Sequence, residues 1–271
     1  MKTTPKIVFF DIDGTLYSMR TNQILPSTLD AIRQLRDRGI LVFLATGRHK
    51  VQIETLPQFQ ALAYDGGVTL NGSYCYDQTG AIFHNPICRE DIAGLLEHLR
   101  QTPTPCGFIE ESRSYVNFYN DWVYDVHDQI HTPLLPLGDL NRGLTHPVYQ
   151  VLLYLKPEDS DALPFMPNCR STRWHTGGLD IIPATGGKAL GIQKILEHYG
   201  IDKADTMAFG DGENDLDMFE AVGFSVAMGN AVAQLIAAAD YVTEAVEEDG
   251  IAKALRHFGL IDARKDETDV I

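Results

Sequence analysis

No two cysteines stand close enough to form a C-x-x-C pair: Cys75, Cys88, Cys106 and Cys169 are scattered along 271 residues. That spacing excludes a compact disulfide framework and the common kind of zinc site, and reduced thiols follow. Long apolar runs are also missing. No stretch approaches the ~20 residues of a membrane helix. The apolar run near the N-terminus stops at Asp11, too early for the core of a signal peptide. Basic charge is scarce, with 22 Lys and Arg against 37 Asp and Glu and a formal net charge of −15. Such a surface repels nucleic-acid phosphate and anionic lipid, so neither is expected as a partner. An anionic substrate would need a local positive device, such as a metal ion. A cytoplasmic location is expected.

What is present suits a globular chain long enough to bury roughly three quarters of its unfolded surface. Residues 6–10 (KIVFF) and 40–45 (ILVFLA) are continuous apolar runs, and between them Leu29, Ile32 and Leu35 recur at helical spacing before Gly39. Runs without alternation suit a parallel sheet covered on both faces. The same style returns after residue 188, with strands expected at 206–210, 224–229 and 241–243, and helices between and after them. The middle is more polar and richer in Tyr, Pro and His. It predicts hairpins over 108–119 and 170–183, helices over 89–100 and 121–130, and a long strand over 147–155. These do not alternate as crossover units. The sequence therefore predicts a doubly wound α/β core in two parts, 1–82 and 184–271, split by an α+β insert, 83–183. The charged tail, 262–271, is expected to fray.

In open α/β sheets, ligands bind at the carboxyl ends of the strands. Four such positions carry reactive residues: Asp11 and Asp13 in "DIDGT", Thr46, Gly47 and Arg48 in "TGR", Lys188 at the start of a helix, and Asp211, Asn214 and Asp215 in "GDGEND". Each alone reads as a helix cap. All four at the ends of one sheet do not.

Together and in this order, these motifs resemble those of the haloacid dehalogenase superfamily. Asn71–Gly72 and Met228–Ala231 ("MGNA") add to the likeness. The long insert after the second motif resembles the Cof-type phosphatases of subclass IIB. The resemblance implies a Rossmann-like core with an α+β cap, a Mg²⁺ cofactor, and hydrolysis of a small phosphorylated metabolite, such as a sugar phosphate or phosphorylated cofactor. It implies that Asp11 is the nucleophile and, with the Asp13 carbonyl and Asp211, a metal ligand, with Asp215 behind them. Asp13 would be the acid/base. Thr46, Gly47, Lys188 and Asn214 would bind phosphate. Thr15 would add a hydrogen bond near the loop. Arg48 would bind substrate or pair with the insert. The alternatives are a phosphohexomutase on the same fold and a non-catalytic sensor of phosphorylated metabolites.

Other signals are weaker. His127 and His131 lie four apart and read as a solvated helix face. Trp122, Tyr124, Trp174 and His175 read as the core of the insert or as a pocket wall. Glu247, Glu248 and Asp249 read as acids at a helix N-terminus. Pro57 should shorten or kink the helix after "TGR". The glycines of "PATGGK" bear on the hinge from insert to core.

Overall fold

A computed structural model describes residues 3–129, 132–159 and 162–263, leaving the side chains of Trp174 and His175 outside the description. The chain divides into two compact units: 1–48, 52–83 and 187–271 form one, and 49–51 with 84–186 form the other.

The first unit opens with β1 (Ile7–Phe10), a short hairpin of β2 (Tyr17–Ser18) and β3 (Gln23–Ile24), then α1 (Pro26–Asp37), β4 (Leu41–Ala45) and α2 (Lys50–Thr55). Pro57 opens a separate 3₁₀ turn, so α2 stops short, as its fixed φ requires. Strands β5 (Gly66–Thr69), β6 (Tyr74–Asp77) and β7 (Gly80–His84) follow. The sequence did not announce these three. Gly66 and Gly67 interrupt the apolar run of β5, and β6 is rich in tyrosine.

The second unit holds α3 (Arg89–Gln101), β8 (Cys106–Ile109), β9 (Ser114–Val116), α4 (Asp121–Gln129), β10 (Gln150–Leu153), β11 (Cys169–His175) and β12 (Gly178–Pro183). Its sheet runs β11-β12-β10-β8-β9, with antiparallel pairing. Ile92, Leu95 and Leu99 of α3 cover the face that carries Phe108, Val151 and Ile181. The expected long strand over 147–155 is regular only over Gln150–Leu153. His127 does not lie on a solvated face: it is buried, and its Nε2 sits 2.8 Å from the Tyr154 hydroxyl. His131 lies outside the described residues, as does most of the tail.

The chain then completes the first unit with α5 (Lys188–Tyr199), β13 (Thr206–Gly210), α6 (Leu216–Ala221), β14 (Phe224–Ala227), α7 (Ala233–Ala238), β15 (Tyr241–Val242) and α8 (Gly250–His257). The sheet order is β15-β14-β13-β1-β4-β5-β6-β7. Pairing is parallel from β15 to β5 and antiparallel between β5 and β6. This is a doubly wound α/β core interrupted by an α+β unit. Val8 and Phe10 face one core layer with Ile32, Leu35 and Leu255, while Ile7 and Phe9 face another with Ile192, Ile195 and Met218. Both faces of β1 are thus buried, which is why its sequence does not alternate.

β1 lies between β13 and β4. From β1 the chain winds one way to β4, and it later returns on the other side to β13. The reversal leaves a crevice at the carboxyl ends of these strands. Phe10 and Phe209 stack across β1 and β13 at 4.9 Å just below it. Truncation of the buried Phe209 to alanine is expected to cost about 3–5 kcal/mol. Urea unfolding of Phe209→Ala checks this; a loss below about 1 kcal/mol would mean that the floor of the crevice repacks freely.

Candidate active site

Asp11 follows β1, Thr46 follows β4 and Asp211 follows β13, so three adjacent parallel strands deliver their first polar residues to one place. Asp13 lies two residues beyond Asp11, just before a turn closed by the Gly14 N–H donating to the Tyr17 carbonyl at 2.8 Å. Gly14 has φ +85°, and a Cβ there would come within 2.1 Å of Asp211 Oδ2. Only glycine lets this turn press against the opposite strand end.

Lys188, the first residue of α5, is fully buried. Its Nζ donates to Asp11 Oδ1 at 2.7 Å and to Asp215 Oδ1 at 2.6 Å. A cation at a helix N-terminus is mildly unfavourable, and the two carboxylates offset that cost. Burial opposes the ammonium charge, yet Asp11 and Asp215 outweigh it and raise the Lys188 pKa. The other Asp215 oxygen accepts from the N–H groups of Asp211 and Gly212, at 2.9 and 3.0 Å. Both Asp215 oxygens are therefore engaged, and its role is to hold its neighbours.

Carboxylate oxygens of Asp11, Asp211 and Asp215 lie within 4.8 Å of one another. Burial, then Asp215 and Asp211, push Asp11 above the usual carboxylate range against the opposing pull of Lys188. Burial and Asp215 push Asp211 up to about 7, although the Thr15 hydroxyl donates to its Oδ1 at 2.8 Å. Three carboxylates thus face one ammonium. Asp11 Oδ2 meets no protein donor among the described residues, and Asp211 Oδ2 meets only the Asn230 amide at 3.5 Å. A hard divalent cation fits such an oxygen donor set and would reverse the upward shifts.

The Asp13 side chain stays out of this cluster. Arg48 donates to it through Nε at 2.7 Å and Nη2 at 2.6 Å, and the guanidinium lies 5.0 Å from the Phe59 ring centre. Arg48 was expected to meet substrate or the insert; its ion-pair partner is Asp13, within the same unit. Thr46 is buried; its hydroxyl accepts from the Arg48 N–H at 3.1 Å and, among the described residues, has no protein acceptor for its own proton. The Gly47 N–H meets no protein acceptor among the described residues. Asn214 is exposed, and its Nδ2 donates to Asn71 Oδ1 at 3.3 Å.

Three supports were not assigned from sequence. Asn230, in "MGNA", donates to the Gly14 carbonyl at 2.9 Å and accepts from the Val246 N–H at 2.9 Å, tying the Asp13 turn to a distant loop. The motif was noted, but nothing in its spacing gave that role. Glu247 accepts from the Ser18 hydroxyl at 2.5 Å, and Asp249 accepts from the Ser27 hydroxyl. These acids tie down the β2–β3 hairpin and the start of α1, and do not simply sit at a helix N-terminus.

A haloacid dehalogenase-like hydrolase family model matches residues 8–255. The chain belongs to that family. YkrA of Bacillus subtilis (strain 168) is 35% identical over 265 residues, covering 94% of this chain and 98% of that protein. BT1666 from Bacteroides thetaiotaomicron, a phosphatase of the same superfamily, superimposes with a TM-score of 0.85 at 31% identity, over 95% of this chain and 96% of that one. The subclass IIB sugar phosphatase BT4131 gives 0.82 at 35% identity, over 94% and 100%. The chain is thus a phosphatase-type member of the family.

Replacing Lys188 with methionine leaves two buried carboxylates facing each other. Breaking a buried pair in this way is expected to cost about 3–5 kcal/mol. Chemical denaturation of Lys188→Met should show that loss together with loss of turnover; unchanged stability would mean the carboxylates are neutral without the lysine.

Proposed function

We propose that this protein is a Mg²⁺-dependent phosphomonoester hydrolase that works through a phosphorylated Asp11. The observation that carries this is the buried Asp11–Lys188–Asp215 bridge beside Asp211, at the carboxyl ends of adjacent strands. Asp11, the Asp13 carbonyl and Asp211 would hold the ion, with Asp215 behind them. A bound Mg²⁺ supplies the charge neutralisation that lets a carboxylate approach an anionic phosphoryl group.

The chain's own groups do the rest. Asp11 attacks phosphorus and the ester P–O bond breaks. Lys188 faces Asp11 and offers positive charge to the phosphoryl oxygens. The Thr46 hydroxyl, the Gly47 N–H and the Asn214 amide donate to those oxygens. Asp13 gives its proton to the leaving alkoxide, then takes one from the water that hydrolyses the acyl phosphate, which frees phosphate and restores Asp11. Asp11 and Asp13 are neighbours in sequence but sit among different partners, one against Lys188 and the other against Arg48. Two carboxylates in different environments can divide nucleophile from acid/base.

The substrate is a small phosphorylated metabolite, and a sugar phosphate is favoured by the likeness to BT4131, a sugar phosphatase.

Asp11→Asn is expected to leave activity at background. Asp13→Asn should retain phosphate binding while turnover falls roughly 10²–10⁴-fold. Steady-state kinetics on an ester with a poor leaving group decide; near-normal turnover of Asp13→Asn would refute its role. Chelation by EDTA should abolish activity and Mg²⁺ should restore it, while Ca²⁺, with its looser coordination, should not. Full activity in protein shown to be metal-free by elemental analysis would overturn the mechanism.

A further inference from the structure

We infer that Asn71 belongs to the phosphoryl-binding site, its amide nitrogen donating to a phosphoryl oxygen beside the Gly47 N–H; this rests on the phosphohydrolase reading above. Leu70, Asn71 and Gly72 have φ of +52°, +51° and +86°. Three successive left-handed residues, two of them not glycine, persist only where the surroundings hold them. The surroundings here are two of the site's own loops. The Leu70 N–H donates to the Arg48 carbonyl at 3.2 Å, and the Asn71 N–H donates to the Thr46 carbonyl at 3.0 Å. On the other side, a Cβ on Gly72 would lie 1.9 Å from the Gly187 carbonyl oxygen, directly before Lys188. The segment is clamped between the "TGR" loop and the start of α5.

The clamp fixes one side chain. Asn71 is 9% exposed. Its Oδ1 accepts from Asn214, which directs its Nδ2 elsewhere. A methyl on Gly47 would sit 3.2 Å from that nitrogen, so the amide lies against the Gly47 backbone. Among the described residues, neither Asn71 Nδ2 nor the Gly47 N–H has a protein acceptor. Two unpaired donors side by side, one on a side chain nine-tenths buried, call for an anionic or polar acceptor from outside the chain. Asparagine tolerates the left-handed backbone better than most residues, so one residue meets both the conformational and the chemical demand.

The test uses the full chain with Mg²⁺ and inorganic phosphate as probe, read as a competitive inhibition constant and by calorimetry. Asn71→Gly keeps the left-handed backbone and removes only the amide. It should weaken phosphate binding roughly ten- to hundredfold, the effect of a lost hydrogen bond to a charged group, with near wild-type thermal stability. Asn71→Asp keeps the shape but turns an acceptor toward the anion, and should bind phosphate more weakly still. Asn71→Gly made in an Asn214→Ala background should lose further affinity, because Asn71 acts on the phosphate as well as on Asn214. A folded Asn71→Gly with phosphate affinity within about twofold of wild type would overturn the inference. So would no further loss in the Asn214→Ala background. A folded wild type that neither binds phosphate nor hydrolyses phosphomonoesters would overturn the phosphohydrolase reading itself, before any variant is compared.

Discussion

A single buried ammonium joins the two halves of the first unit. Lys188 bonds Asp11, 177 positions earlier, and Asp215, 27 positions later. Removing three charged groups from water is costly, and their mutual attraction repays the cost only when geometry and hydrogen bonding are complete. They are complete for Asp215, whose second oxygen takes two backbone N–H groups. They are incomplete for Asp11, whose second oxygen meets no protein donor among the described residues. That asymmetry leaves Asp215 held on both oxygens and Asp11 open on one.

The sheet makes the bridge possible. β1 is the central strand, flanked by β13 and β4, and all three run parallel. A parallel sheet places consecutive carboxyl ends side by side although their residues are far apart in sequence. Buried aromatic and aliphatic layers on both faces fix the strand registers. The polar residues just beyond the strands then need only short, tightly tied turns. Gly14 allows the closest of these, and Thr15, Asn230 and Glu247 tie the turn and the hairpin after it.

Accumulated negative charge is the constraint behind the chemistry. Asp11, Asp211 and Asp215 share one lysine, so burial raises the proton affinity of Asp11 and Asp211. The mechanism proposed above needs Asp11 ionised to attack phosphorus. A divalent cation held by these carboxylates would resolve the conflict by favouring their ionised forms. The net charge of −15 makes that local reversal of sign the more necessary for an anionic substrate.

The sequence by itself determined the buried strands, the order of the four motifs and the change of style in the middle of the chain. Each of these is written locally, in continuous apolar runs and in the residues that end them. Strands β5 to β7 were not legible, because two glycines break the apolar run of one and the others are short or polar. Only the tertiary structure decided which motif residues touch. Arg48 meets Asp13 across 35 positions, and Glu247 meets Ser18 across 229. No periodicity encodes such pairs, because they lie in turns whose side-chain directions are set by neighbouring strand ends. Likewise, His127 reads as solvated from its helix alone, and is buried because Tyr154 of another segment covers it. The left-handed run at Leu70–Gly72 has the same origin: its conformation is imposed by the loops on either side, so the sequence shows the Asn-Gly pair but not what its amide faces.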